Sequence, residues 1–325
     1  MDPALFQDDL DAKPHWLRTL ASRLPATVWP VQPGSSLLLT GMGSSWFAAD
    51  VAARRLRRAG VWAVADLASV EGPLPPAANL TVVGITASGS SGETLAQLEA
   101  HHGVSNTVVL TNTDGLSLPA RHTMLMHAGP EAGGVACRSY LHTLVLLLHL
   151  EHQLTGGLPE LPAQVLRAAE AIEHLLDSRP IWLPPVLDVL DGPQGTWLLA
   201  PAERLGSALQ GALMLREGPR RAADGCETGD WNHVDVYLTK TLDYRALLFT
   251  GSRFDGAALQ WMRERGSRVV AVGPGDDGAG DDGAGDHGAP IEQRVRFPHE
   301  HDPVVALLVE IVVAELAAAA WWRAQ

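Results

Sequence analysis

The chain is poor in cysteine and in basic residues. Its 325 residues contain two cysteines, and 24 Lys and Arg oppose 37 Asp and Glu, which gives a net charge of -13. Cys137 and Cys226 form no disulfide framework and no metal-ligand spacing, so we expect no metal. The acidic balance argues against nucleic acid, whose phosphates require clustered Lys and Arg. The single basic cluster, at 54–58, lies in a helical stretch and is interpreted as a solvated face or interface rim.

The chain also lacks a charge-free apolar run of membrane-spanning length. Its longest apolar stretches are 144–150 and 304–322, and the second contains Glu310 and Glu315. The N-terminus is acidic, without the basic flank and apolar centre of a signal peptide. We therefore expect a soluble cytoplasmic protein with no membrane partner.

What is present is enough apolar sequence for a large core, with 46% apolar and 19% charged residues. Between residues 36 and 155 short apolar runs alternate with helical spacing, which predicts an α/β fold with a parallel sheet covered by helices on both faces. Helices are predicted at 45–59, 91–102 and 134–154, after a leading helix that carries Trp16 and Leu17. The predicted strands are 36–40, 61–66, 80–86, 107–111 and 123–127.

A Pro/Gly-rich break at 156–164 predicts a domain boundary, and the pattern then restarts. We predict an N-terminal helical segment at 1–34, a first α/β domain at 35–155 and a second at 163–325. The repeated element types favour an internal duplication. Strands are predicted at 196–200, 246–250, 268–272 and 292–296, and helices at 163–177, 202–217, 255–265 and 303–322. Residues 273–289 repeat Asp-Asp-Gly-Ala-Gly and predict a mobile acidic loop.

Two loops rich in Gly, Ser and Thr each follow an apolar strand and lead into a helix. They are Gly-Met-Gly-Ser-Ser at 41–45 and Thr-Ala-Ser-Gly-Ser-Ser-Gly-Glu-Thr at 86–94. Glycine lets the backbone approach a ligand, while hydroxyls and helix N-terminal amides offer donors to an anion. The loops lie at the carboxyl ends of strands, where ligands bind in such sheets, and we expect them to converge on one phosphate.

These motifs resemble the double sugar isomerase (SIS) domain family over residues 35–320. The chain is similar to the isomerase half of glucosamine-6-phosphate synthase and to stand-alone aminosugar-phosphate deaminases and isomerases. The two loops look like the family's Gly-x-Gly-Ser/Thr-Ser and Ser-x-Ser-Gly-x-Thr-x-Asp-Thr loops. Further resemblances are Glu131 with Gly133, Arg138 and Tyr140, the helical stretch 208–217, and Gly-Asp-Trp-Asn-His at 229–233.

The resemblance implies two SIS-type three-layer domains and a homodimer with shared active sites. It implies a phosphosugar isomerase or deaminase that acts on a hexose or aminohexose 6-phosphate by proton transfer between C1 and C2, without a cofactor. Binding residues carried over by position are Gly43, Ser44, Ser45, Thr86, Ala87, Ser88, Ser91 and Glu131. The alternative interpretation of these Ser and Thr residues is ordinary helix capping.

Two residues match catalytic positions of the family. Glu217 matches the acid–base carboxylate, which requires a partly desolvated carboxyl group above both carbons. His233 matches the ring-opening histidine that the family supplies from the neighbouring subunit, a role suited to a neutral imidazole. Glu217 could instead be a surface residue at a helix end. Asp230 and Asp235 could orient His233 or simply lie in a polar loop.

Departures from the family keep other functions open. The synthase branch has a tail with a carbonyl-binding lysine, whereas this sequence ends in Trp-Trp-Arg-Ala-Gln and holds only Lys13 and Lys240. Chemistry through such a lysine is therefore not expected. The alternatives are a sugar-phosphate sensor without turnover and a lyase or hydrolase of phosphorylated sugar–amine conjugates.

Overall fold

The computed structural model describes residues 1–275 and 290–325, so most of the predicted acidic loop 273–289 lies outside the described residues. The chain divides into two compact units. The first unit is Ala12–Leu166, and the second unit combines Met1–Asp11 with Arg167–Gln325. The predicted domain division at 155–163 concerns parts of the chain that would fold independently, and it stays a prediction.

The first unit is built on a sheet of five parallel strands in the order β2-β1-β3-β4-β5. Every residue of β3 is buried, as expected of an inner strand that is covered on both faces. The strands are β1 (Ser36–Gly41), β2 (Ala63–Leu67), β3 (Leu80–Ile85), β4 (Asn106–Thr111) and β5 (His122–Leu125).

Helices cover this sheet through their apolar faces. Leu98 packs with Leu38, Val82 and Val109 of the sheet in one buried cluster. The predicted leading helix is two helices, and α1 belongs to the second unit, whereas α2 belongs to the first. The helices are α1 (Pro3–Asp11), α2 (Lys13–Arg23), α3 (Ser44–Arg58), α4 (Gly92–Ala100) and α5 (Arg138–Thr155).

The second unit repeats the architecture, with parallel strands in the order β10-β9-β8-β6-β7. Read from the β7 edge, the order β7-β6-β8-β9-β10 corresponds strand by strand to the order β2-β1-β3-β4-β5 of the first unit. The identical strand order supports the predicted duplication. The strands are β6 (Thr196–Ala200), β7 (Ala223–Glu227), β8 (Arg245–Phe249), β9 (Arg268–Val272) and β10 (Ile291–Val295).

The helices of this half start with α6, which also contains the division between the units. The core of the second unit includes Trp197, whose ring stacks on that of Tyr244 with the ring centroids 4.4 Å apart. The helices are α6 (Leu161–Leu190), α7 (Leu205–Glu217), α8 (Thr228–Trp231), α9 (Asp255–Glu264), α10 (Pro303–Val309) and α11 (Ile311–Arg323). The α/β class with two helix-flanked parallel sheets is confirmed.

Two differences from the predicted elements have identifiable physical causes. Helix α6 continues through Pro180, beyond the predicted end at 177, because its later residues, such as Val186, are buried in the core. Strand β7 was not predicted, since Ala-Asp-Gly-Cys-Glu shows no apolar alternation. Its Gly225 lies so close to α7 that a Cβ there would be 2.6 Å from the carbonyl carbon of Ala208.

The stretch Pro303–Arg323 is long and apolar enough to cross a membrane, with a mean hydropathy of 2.2 in its most apolar window. In the structure 89% of that window is buried inside the protein. Glu310 and Glu315 are also buried within it. Such burial is typical of a core helix.

Candidate functional site

The two Ser-rich loops start side by side. Strands β1 and β3 are neighbours, and Gly41 pairs with Ile85 at their carboxyl ends. A Cβ on Gly41 would lie 2.9 Å from the carbonyl oxygen of Ile85 and 2.6 Å from the Cβ of Ser45. Only glycine fits this contact without displacement, so the sequence brings both loops to one point at the sheet edge.

The first loop leads directly into α3. Gly43 precedes the helix with φ of 51°, a conformation that favours glycine. Ser44 opens the helix, and the Ser45 amide donates to the Met42 carbonyl at 3.1 Å. Among the described residues neither serine hydroxyl has a hydrogen-bond partner. Both are therefore available to a ligand.

The second loop is held by its own hydroxyls. The Ser91 amide donates to Thr86 Oγ1 at 3.4 Å, and Ser88 Oγ lies 2.7 Å from Ser90 Oγ. Ser91 caps α4, and its hydroxyl donates to the carboxylate of Glu93 at 3.1 Å. An anion at this loop would therefore replace weak internal contacts with charge-assisted hydrogen bonds.

A cavity of about 630 Å³ opens at the ends of β3, β4 and β5. Of the predicted binding residues, Ala87, Ser88 and Glu131 line its wall, whereas the other five lie off it. None of the described residues that line the cavity carries a positive charge. Donors for a phosphate must come from amides and hydroxyls. The remaining lining residues are Asn112, Thr113, Asp114, Gly129, Pro130, Gly134, Val135 and Ala136.

In this wall Glu131 caps the start of helix α5. Its Oε1 accepts hydrogen bonds from the amides of Cys137, Arg138 and Ser139 at 2.7, 2.6 and 3.1 Å. A carboxylate there satisfies orphan amides and complements the helix dipole at the start of α5. This explains why α5 begins at Arg138 and not at the predicted residue 134. The contacts commit one carboxylate oxygen to the helix, and the predicted role in substrate binding stays a prediction.

Asn112 is a cavity residue that the sequence analysis did not single out. Its Nδ2 donates to the Gly129 carbonyl at 2.7 Å, and its Oδ1 accepts from the Ala128 amide at 2.9 Å. Its own amide donates to the Ala87 carbonyl at 3.0 Å. Asn112 thus joins the Ser-rich loop to the opposite wall. Its position, directly after the buried strand β4, was the available signal.

The predicted acid–base residue, Glu217, is the last residue of α7 in the second unit. Burial raises the pKa of its half-buried carboxyl group, and the nearby Arg220 lowers this pKa to a smaller extent. Within its unit the carboxylate accepts no hydrogen bond from a described residue. A carboxyl group with a raised pKa and free oxygens suits proton transfer.

His233 is exposed beyond the end of α8, where its amide donates to the Asp230 carbonyl at 2.8 Å. Neither Asp230 nor Asp235 hydrogen-bonds to its ring among the described residues. Burial raises the pKa of Asp235, while a hydrogen bond with the Cys226 thiol lowers it. The suggestion that these carboxylates orient His233 is therefore not supported by the contacts.

The second unit has a loop at the position that corresponds to the Ser-rich loop of β3. It follows β8, and there Asp255 Oδ2 accepts from the amides of Gly251 and Ser252 at 2.7 and 3.1 Å. The chain's own carboxylate occupies these anion-binding donors. These two amides are therefore already hydrogen-bonded within the protein.

The fold is that of two SIS-type domains. No family model matches the chain. It is 26% identical over 294 residues to the isomerizing glutamine–fructose-6-phosphate aminotransferase of Gloeobacter violaceus, covering 80% of this chain. The chain spans less than half of that relative, 47% of its length.

Solved structures agree in fold over nearly the whole chain. The C-terminal domain of a glucosamine-fructose-6-phosphate aminotransferase from Francisella tularensis superposes with a TM-score of 0.76 at 14% identity, covering 98% of this chain and 96% of that one. Tagatose-6-phosphate ketose/aldose isomerase from Escherichia coli gives 0.74 at 16% identity, covering 98% and 93%. The predicted resemblance to the double SIS domain family is confirmed.

Proposed function

We propose that this protein is a phosphosugar isomerase or deaminase that acts on a hexose or aminohexose 6-phosphate. The observation that best supports this proposal is that the two Ser-rich loops begin at Gly41 and directly after Ile85, which are paired at the ends of neighbouring strands. Hydroxyls of Ser45, Ser88 and Ser91, with amides at the start of α4, would bind the phosphate dianion. The relative and the two structures bear names of fructose- or tagatose-6-phosphate enzymes, which supports this substrate class.

The cavity next to the second loop has a suitable size for the sugar. Small-molecule sites usually measure about 300–1,000 Å³, and this one measures about 630 Å³. Its wall offers carbonyl, amide, hydroxyl and carboxylate groups, including the hydroxyl of Thr113 and the carboxylate of Asp114, that could hydrogen-bond sugar hydroxyls. Phosphate at the loop and sugar in the cavity form the binding half of the proposal.

The chemical step is a proton transfer within the open-chain sugar. Glu217 would take the proton from C2 while the carbonyl oxygen on C1 gains a proton, which forms an enediol. It would then return its proton to C1 while the hydroxyl on C2 loses one, so that an aldose becomes a ketose with no net change in protons. Where C2 carries an amine, the product is an imine at C2, to which water adds before ammonia leaves. The raised pKa of Glu217 brings the carboxyl group closer to the operating pH, as a general acid–base requires.

His233 is proposed to open the pyranose ring by moving a proton between the ring oxygen and the C1 hydroxyl. Its exposure is compatible with a role in the active site of a second copy. We also propose the homodimer, with each His233 serving the partner's substrate, and a cytoplasmic location.

The proposal is tested with a ligand screen by thermal shift, followed by product assays. The panel holds glucosamine, N-acetylglucosamine, galactosamine, fructose and glucose 6-phosphates with their unphosphorylated forms. We expect stabilisation by phosphorylated sugars alone, with ketose or ammonia as product. Stabilisation without product would favour the sensor, cleavage of a sugar–amine conjugate would favour the lyase, and no stabilisation would refute phosphate binding.

A further inference from the structure

The turn that follows Glu217 is covered by the end of the chain's last helix. Glu217 ends α7, and the backbone leaves it through Gly218 and Pro219. A Cβ on Gly218 would lie 3.0 Å from Cε3 of Trp322, so the indole lies against the glycine backbone. A side chain at this position would crowd the indole, so glycine favours this approach of α11.

Two further contacts join the same segments. The Gln325 side-chain amide donates to the Pro219 carbonyl at 2.5 Å. The guanidinium of Arg221 lies over the Trp321 ring, 4.2 Å from its centroid, and the Arg221 amide donates to the Leu215 carbonyl at 3.0 Å. Three residues of the turn, Gly218, Pro219 and Arg221, are thus contacted by three of the last five residues.

The end of α11, which covers this turn, is itself packed into the core of the second unit. The ring of Trp322 contacts that of Phe6, with centroids 5.9 Å apart. Phe6 belongs to α1 and is almost completely buried. The first and last helices of the chain therefore meet at the indole that supports the turn.

We propose that Trp322 is a positioning residue for Glu217, with Gln325 as its polar partner. Helix ends fray unless their last turn is tied down, and Glu217 is a terminal residue. A reacting carboxylate displaced by about 1 Å can lose about 100-fold in rate. The indole restrains the backbone of Gly218 and keeps solvent from one side of the turn. This role presupposes the proposed acid–base function of Glu217.

The test compares Trp322→Ala, Trp322→Phe and Gln325→Ala with Trp261→Ala as matched control. Trp261 lies on α9 in the same unit and is partly exposed, stacked with Arg265. We expect Trp322→Ala to lower kcat at least about tenfold with KM within about twofold, since ground-state binding is untouched. Trp322→Phe should recover most of kcat, and Trp261→Ala should match the unmodified chain.

The pH profile separates positioning from general stability. Loss of the indole exposes the turn, so the acidic limb of the kcat profile should move to lower pH in Trp322→Ala but not in Trp322→Phe or Trp261→Ala. If Trp322→Ala does not fold, Gln325→Ala carries the test, with a fall in kcat of about two- to fivefold at unchanged melting temperature. An unchanged kcat in Gln325→Ala, together with an unchanged kcat and an unchanged pH limb in any folded Trp322→Ala, would overturn the proposal.

Failure of this inference and failure of the proposed function give different results. If Glu217→Gln keeps full turnover, Glu217 is not the acid–base and the proposed mechanism fails first. If Glu217→Gln is inactive while Trp322→Ala and Gln325→Ala behave like Trp261→Ala, the mechanism stands and only the positioning role is wrong.

Discussion

Gly41 and Ile85 end two neighbouring strands so close together that a single added methyl group at Gly41 would stand 2.9 Å from the Ile85 carbonyl oxygen. This contact sets where both Ser-rich loops leave the sheet. The space between the loops is therefore determined by the absence of one side chain.

Gly41→Ala tests this contact. The added Cβ must displace Ser45 or the Ile85 carbonyl, so we expect a loss of about 1–3 kcal/mol in unfolding free energy, as for other overpacked sites. Denaturant unfolding measures it. Gly60→Ala would not serve as a control, because Gly60 has a positive φ of 84°, which alanine adopts only with strain. Gly92→Ala is suitable, since nothing lies within 4 Å of its Cβ position.

Ser88→Ala combined with Ser91→Ala tests phosphate capture. Each hydroxyl lost from a charged ligand costs about 1.5–3 kcal/mol, so affinity for a sugar phosphate should fall at least about tenfold. Calorimetric titration measures it. Ser252→Ala in the corresponding loop of the second unit is the control. Equal affinity in the double variant and the control would show that the loop's hydroxyls serve only the fold.

Glu217→Gln should abolish turnover and leave ligand binding nearly intact. The amide keeps the shape of the side chain but cannot take a proton, so we expect kcat to fall by about 10²- to 10⁴-fold. Parallel binding and product assays check this. Arg216→Gln, at the exposed neighbouring position, should keep its activity. Turnover near that of the unmodified chain in Glu217→Gln would contradict the mechanism.

The raised pKa of Glu217 predicts a pH-dependent difference in stability. The folded state holds this proton more tightly than the unfolded state does, so the contribution is fully present below the unfolded pKa of about 4.3. It is lost as the pH rises through the folded pKa. The unfolding free energy of the unmodified chain, relative to Glu217→Gln, should therefore fall over that window and then level off. A difference that stays flat with pH would show an ordinary pKa.

Mixing two inactive variants tests the shared active site. If His233 serves the partner, a mixed dimer of Glu217→Gln and His233→Ala has one site with both residues intact. Statistical reassembly of a two-fold dimer then restores about one quarter of the full activity. Each variant alone stays inactive. Failure to recover activity after verified subunit exchange would place both residues in one chain's site.

Much of the fold was predictable because its strands are short and mostly apolar and alternate with stretches of helical spacing. The five strands of the first sheet were predicted to within two residues at each end. Strand β7 escaped because an edge strand with Asp224 and Gly225 has no apolar pattern. Helix α6 escaped in part because Pro180 usually ends a helix, whereas burial of its later residues outweighs that local preference.

The sequence by itself determined most of the element order, the two Ser-rich loops and the resemblance to double SIS proteins. These features depend on local chemistry, such as glycine at turns and hydroxyls before helices, which is written in adjacent residues. Only the tertiary structure decided that Glu131 caps α5, that Asn112 joins the cavity walls and that Trp322 covers the turn after Glu217. Such contacts join residues of different elements, separated by six to more than one hundred positions, and their energies depend on burial and distance that no local pattern contains.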